Sequence, residues 1–167
     1  MIIFVSHSLK DKILIQDLKN SLVPHGIALL IAEHYRDLSN SISQKIENMI
    51  RQCDVALILL TENGYGSNFV QQEIGYIKSC NKPSLQVIEK GLENKITGFI
   101  YGHDFLVHDP KTPHFTVEGI KNSLLNYWNI EQGKLSQIAE EKKSNEAKVA
   151  LALLAGLLVW GLTSQAK

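Results

Sequence analysis

The side chain best placed to do chemistry is the carboxylate of Glu73, in residues 54–82, DVALILLTENGYGSNFVQQEIGYIKSCNK. Residues 55–60 are a short run, apolar on both faces, which predicts a central strand of a parallel sheet covered on both sides. Residues 61–67 hold Gly64 and Gly66 and read as a loop. Ser67 stands where a helix N-cap is wanted, ahead of Phe69, Val70, Ile74 and Ile77. Val70, Ile74 and Ile77 form the stripe expected to be buried, and Phe69, Glu73 and Tyr76 follow at i, i+4 and i+7 along one edge of it. Glu73 then lies within about one and a half turns of the loop at the sheet's carboxyl edge, where open α/β sheets bind ligands. Ser6 and His7, ending the first strand, reach the same edge.

The elements that must position these groups alternate. Residues 2–6 (IIFVS) read as a buried strand, and Ser8 as a helix cap with Asp11 as its capping-box partner. Leu14, Leu18 and Leu22, widened by Ile15, give that helix its apolar stripe, and Pro24 and Gly26 end it. Residues 27–32 are a second strand, 33–40 a polar loop, and Ser41 with Gln44 a capping box for a helix with Ile42, Ile46, Met49 and Ile50 facing the core. A fourth strand is expected at 84–88, a short helix near 92–96 and a fifth strand at 104–108. Thr116 is expected to cap a last domain helix with Val117, Ile120, Leu124 and Trp128 on one face. Strands alternating with helices imply a flavodoxin-like, three-layer α/β domain: a five-stranded parallel sheet, order 2-1-3-4-5, followed by a C-terminal hydrophobic helix.

At 167 residues the chain has room for one domain and an appendage. The formal net charge is zero, so no electrostatic binding of nucleic acid is expected. Cys53 and Cys80 are isolated, which fits a reducing compartment, and the six histidines show no metal-ligand spacing, so no metal site is expected. The chain opens directly on a strand-like run, so no secretory leader is expected. We expect a domain over 1–130, a polar linker or helix extension over 131–147, and a transmembrane helix over 148–166. The wholly apolar run is VALALLAGLLVWGL, residues 149–162, and the uncharged stretch reaches the lower end of bilayer-spanning length. Lys142, Lys143 and Lys148 precede it and Lys167 alone follows, so the domain is expected on the cytoplasmic side of a single C-terminal anchor, with Trp160 near the far interface. The other reading of this run is a buried or self-associating helix.

Three stretches, in this order, resemble the Toll/interleukin-1 receptor (TIR) domain family. IIFVSHSLKD is similar to the family's first box, and the loop 34–40 falls where the family has its BB loop. LTENGYGSNFVQQE is similar to its loop and third helix, where S-x-W-[CV]-x-x-E recurs; here the positions are Ser67, Phe69, Val70 and Glu73, with Phe where Trp is commoner. The resemblance covers about residues 2–128 and is nearest to prokaryotic TIR proteins of antiphage defence systems such as Thoeris. It implies cleavage of NAD, as substrate and with no cofactor, at the bond between nicotinamide and ribose. Glu73 is then the catalytic carboxylate, with Ser6, His7, Ser67 and Phe69 contacting substrate. Hydrolysis and cyclisation both stay open. The resemblance also implies homo-oligomers formed through TIR–TIR contacts that include the loop 34–40.

Two other functions are carried alongside. One is a non-catalytic, membrane-anchored adaptor that binds other TIR domains and uses Glu73 as surface charge. The other is a nucleoside deoxyribosyltransferase-like enzyme, which EIGYIKSCNKP resembles, although ENGYGSNF lacks the Asp and Gly-Thr turn usual there. A receiver domain is excluded: Ser6-His7 and Thr61-Glu62 stand where its acidic pair and its Asp are needed.

Overall fold

The structure, a computed structural model, describes residues 1–31, 42–96 and 104–164. The expected loop 34–40 and the cap at Ser41 lie outside them. Five strands form one parallel sheet: β1 (Ile2–Ser6), β2 (Ala28–Ile31), β3 (Val55–Leu60), β4 (Ser84–Glu89) and β5 (Leu106–His108), in the order β2-β1-β3-β4-β5. Among the described residues five α-helices accompany them: α1 (Lys12–Leu22), α2 (Ile42–Gln52), α3 (Glu62–Tyr65), α4 (Asn68–Ser79) and α5 (Pro113–Ser164). The α/β class, the strand order and the long C-terminal helix are as the sequence predicts.

All six residues of β3 are buried, as a central strand covered on both faces requires. Successive side chains alternate, so Phe4, Ala56, Ile58, Leu60 and Ile88 share one face. They pack with Ile46 and Ile50 of α2 and with Val70, Ile74 and Ile77 of α4. On the other face stand Ile3, Val5, Leu57, Leu59 and Val87, also buried, and the stripes Leu14, Leu18 and Leu22 of α1 and Val117, Ile120 and Leu124 of α5 are buried too. Ser6 is on the α2/α4 face and level with Ile58 of β3. This register is what brings the end of β1 beneath the middle of α4.

Local chemistry explains where the elements start and stop. A 3-10 turn, Val23–His25, follows α1, and Gly26 at φ 72° ends it in the left-handed region that glycine tolerates. The ammonium of Lys82 donates to the carbonyls of Arg51 (2.7 Å) and Cys53 (2.6 Å), satisfying acceptors at the C-terminal end of α2. Three starts differ from expectation. α1 begins at Lys12, because Asp11 and Ser8 form a turn (Asp11 N–H to Ser8 O, 2.9 Å) instead of a first helical turn. Residues 62–65 are helical: the Thr61 hydroxyl oxygen accepts from the Gly64 N–H at 3.0 Å and caps a single turn. α5 starts at Pro113, and Thr116, inside it, bonds to His108 Nδ1 at 3.0 Å.

The chain divides into two compact units, residues 1–124 and 125–167. The second is the helical continuation of α5 to Ser164. The expected transmembrane helix over 148–166 is corrected here: among the described residues no helix is long and apolar enough to cross a membrane. The reason is length. Fourteen apolar residues, 149–162, make about 21 Å of helix at 1.5 Å per residue, against a hydrocarbon core of about 30 Å. The turns before them, EEKKSNEAK, are charged. The expected membrane contact and the orientation drawn from it fall with the span.

Candidate active site

Glu73 sits in the middle of α4, whose start is fixed by Ser67: the Ser67 hydroxyl oxygen accepts from the Val70 N–H at 3.5 Å. The i, i+4, i+7 edge predicted from the sequence does not stay in water at its centre, for Glu73 is only 4 % exposed. Ser6 reaches it across 67 residues of sequence, its hydroxyl donating to Glu73 Oε2 at 2.6 Å. That length is typical of a charge-assisted O–H···O bond. Among the described residues no other hydrogen bond engages the carboxylate. Burial pushes the Glu73 carboxyl up from the ordinary 4.5 to about 7, with the Ser6 hydroxyl pulling the other way.

A cavity of about 240 Å³ opens between α2 and α4. Its wall includes Ile46 and Glu47 from α2 and Phe69, Gln72, Glu73 and Tyr76 from α4. Phe69 is half exposed, so its ring lies where a flat ligand can pack on it while the carboxylate stays largely out of solvent. The structure therefore brings together three of the five site residues predicted from the sequence: Glu73, Ser6 and Phe69. Ser67 is engaged as the cap of α4. His7 is buried, its Nδ1 directed at the Val5 carbonyl oxygen 3.1 Å away, so the proton sits on Nδ1 in that contact. Neither residue lines this cavity, nor does Ser6, which is fully buried behind it and is joined to it through Glu73.

The loops at the same edge are locked by a residue read from the sequence only as a capping partner. Asp11 is buried. Its Oδ2 accepts from the Thr61 hydroxyl at 2.8 Å and its Oδ1 from the Asn63 side-chain amide at 2.9 Å. The loop after β1, which carries His7, is thus tied to α3. The Tyr65 hydroxyl in turn donates to the Lys95 carbonyl (2.8 Å), and Gln71 of α4 donates to the Tyr65 carbonyl (3.2 Å). Asp11→Ala is expected to cost about 1–3 kcal/mol by leaving three donors unmatched, the Ser8 N–H (3.3 Å), the Thr61 hydroxyl and the Asn63 amide. Urea denaturation checks this, and Asp11→Asn, which keeps one acceptor, should fall between the two. A second cavity, about 320 Å³, lies beside this lock, lined among others by Lys10, Asp17, Glu89 and His108. It contains none of the predicted site residues.

Glu47, Gln72 and Tyr76 were not predicted as site residues. Their signal was present for Glu47: it adjoins Ile46 on a helix whose opposite edge is polar, so it marks the rim of the buried stripe. Among the described residues no group of three or more His, Cys, Asp or Glu is placed to hold a metal ion.

Comparison with known proteins bears on the family and the fold. The family model described as TIR domain matches residues 3–94, more than half of the chain. The TIR domain of a Toll-related receptor from Hydra magnipapillata superposes with a TM-score of 0.59 at 13% identity, covering 75% of this chain and 94% of that one. A CMP N-glycosidase from Clostridium botulinum does so at 0.53 and 12%, covering 72% and 98%. A 2-desoxiribosyltransferase from Leishmania mexicana reaches 0.47 at 15%, covering 70% and 97%. At these identities the first two likenesses are of fold. Among curated proteins none matches the sequence.

Proposed function

The chain belongs to the TIR domain family, and from that premise we propose that it is an NAD glycohydrolase or cyclase with Glu73 as the catalytic carboxylate. The observation that carries the reading is the burial of Glu73 in the wall of a cavity, with one oxygen held by Ser6. A carboxylate used only as surface charge gains nothing from such a place, and its burial weighs against the adaptor reading. An N-glycosidase shares the fold, so the fold accommodates cleavage of this class of bond.

The chemistry follows from the substrate's charge. Nicotinamide in NAD is a cationic leaving group, so no strong acid is needed to expel it. The C1′–N bond breaks, its electron pair goes to the ring nitrogen, and nicotinamide leaves neutral. Positive charge moves onto the ribosyl C1′ and its ring oxygen. Ionised Glu73, in a site with little water, stabilises that charge. Water then attacks C1′ and releases a proton, giving ADP-ribose, or a nitrogen of the substrate's own adenine attacks, giving a cyclic product. Phe69 packs against the flat ring at the mouth of the cavity. The cavity, about 240 Å³, is smaller than the ~300–1,000 Å³ of sites that enclose drug-sized ligands. A second copy of the chain, in TIR–TIR contact, completes the wall around the remainder of the dinucleotide. Nicotinamide release from NAD by the full chain tests the function. The rate per chain is expected to rise with protein concentration. Release from pyrimidine nucleosides with NAD untouched would instead favour the deoxyribosyltransferase-like reading.

A further inference from the structure

We infer that the cavity beside the Asp11 lock is a binding site for a linear aliphatic polyamine, separate from the cavity walled by Glu73. The inference stands apart from the NAD reading. The cavity measures about 320 Å³, within the ~300–1,000 Å³ of small-molecule sites. Its walls come from the carboxyl ends of four strands: the loop after β1 with Lys10 and Asp11, Glu62 after β3, Glu89 ending β4 and His108 ending β5. The strand order reverses between β1 and β3, and a crevice at such a point is where open α/β sheets take ligands.

Two independent observations give the ligand's chemistry. The lining is rich in acceptors, with the carboxylates of Asp11, Asp17, Glu62 and Glu89 against the ammonium of Lys10. The Glu89 carboxylate is fixed there, since its Oε2 accepts from the Glu62 N–H at 2.9 Å, and among the described residues no hydrogen bond engages its Oε1. The second observation is His108, a cavity-lining residue only 6 % exposed. Its Nδ1 is taken by the Thr116 hydroxyl at 3.0 Å, and among the described residues its Nε2 has no hydrogen bond. The fully enclosed side-chain atoms that lack a hydrogen-bond partner are, among the described residues, the Tyr76 hydroxyl and Gln86 Oε1. Nε2 is therefore unpaired but not shut in, and the cavity is what it opens on. With the proton on Nδ1, donated to Thr116, Nε2 accepts an N–H.

A cation with several N–H donors matches this lining, and a point ion does not. Among the described residues no group of three or more His, Cys, Asp or Glu is placed to hold a metal. Acceptors spread along a cavity suit a cation whose charges are spread in the same way. The remaining surface is also informative: Ile13, Leu14, Pro110 and Pro113 line the same cavity, and Ile13 is 80 % exposed. Methylene chains cover apolar surface of this kind while their charged ends stay on polar groups. A linear polyamine has both parts. Its ammonium groups meet Asp17, Glu89 and His108 Nε2, and its methylenes lie over Ile13 and the prolines.

The test titrates spermidine into the full chain by calorimetry at fixed ionic strength. One saturable site is expected, weaker as salt is raised, with a melting temperature that rises with occupancy. Asp17→Asn and Glu89→Gln are each expected to weaken binding about threefold to tenfold, the effect of a lost contact to a partly exposed charge. The two residues are on separate elements, so a variant that fails to fold leaves the other to decide. Lys10→Ala removes the competing cation and is expected to tighten binding by about threefold. Glu141→Gln, outside the cavity wall, is expected to leave it unchanged. A blocked lysine, with one ammonium on a short alkyl chain, is expected to bind about tenfold more weakly or worse. Absence of a saturable site overturns the inference. So does equal weakening by Glu141→Gln, which would mean diffuse attraction to surface charge. Displacement by magnesium at matched ionic strength, or a blocked lysine that binds as well as spermidine, overturns the polyamine as the occupant.

Discussion

Glu73→Gln is expected to lower nicotinamide release from NAD by about 10²–10³-fold, the usual loss when a preorganised group aimed at developing charge is removed. It is also expected to stabilise the fold above neutral pH. Glutamine keeps the shape and can still accept from Ser6, but carries no charge to face the ribosyl cation. The stability effect comes from linkage. The carboxyl titrates near 4.5 in an unfolded chain and at about 7 in the folded one. Between those values the folded chain holds a proton that the unfolded chain has released. Native stability therefore falls as pH rises through this window, by about 3 kcal/mol in total at 1.36 kcal/mol per pH unit. The Gln variant has no such loss. Its melting temperature should match the native value near pH 4.5 and exceed it from pH 7 upward. A variant that is inactive and less stable at every pH would mean that Glu73 is held for structure. A variant that keeps its activity would remove Glu73 from the reaction.

The opposed effects explain why the sequence reveals this site only in part. The strand β3, the cap at Ser67 and the stripe of Val70, Ile74 and Ile77 are written in local periodicity, and each stands where that periodicity puts it. Position 73 is one step off the stripe. Whether a carboxylate there stays in water depends on how closely α2 packs against α4, which no local pattern states. Its partner is 67 residues away. Asp11 is a similar case: its spacing from Ser8 suggests a local cap, and its Oδ2 does accept from the Ser8 N–H at 3.3 Å, but its carboxylate also serves Thr61 and Asn63, 50 and 52 residues on. Gly64 reads as a loop glycine, but its role is close approach, since a Cβ there would lie 3.0 Å from the Leu59 carbonyl oxygen. The C-terminal helix shows the opposite limit. Composition makes residues 149–162 look like a membrane segment, and only length argues otherwise.

Ser6→Ala is expected to displace the pH dependence of the reaction to higher pH. If ionised Glu73 is the working form, kcat/KM for NAD rises through the carboxyl's own titration, near pH 7, and levels off above it. The Ser6 hydroxyl favours the ionised form, since it donates at 2.6 Å to an oxygen that accepts better when charged. A hydrogen bond to a charged group is worth about 1.5–3 kcal/mol, so its loss should move the rising limb up by about one to two pH units. At pH 7 the variant should then be about tenfold or more slower than native, and it should recover much of that difference near pH 9. Ser6→Thr, which keeps the hydroxyl, should retain the native limb if its extra methyl is accommodated. A substrate contact by Ser6 would behave differently, raising KM equally at all pH values and leaving the limb in place. The profile therefore separates a residue that positions and ionises Glu73 from one that holds NAD. A limb that falls above pH 7 in the native protein would show that Glu73 works as an acid, and the electrostatic mechanism would have to be abandoned.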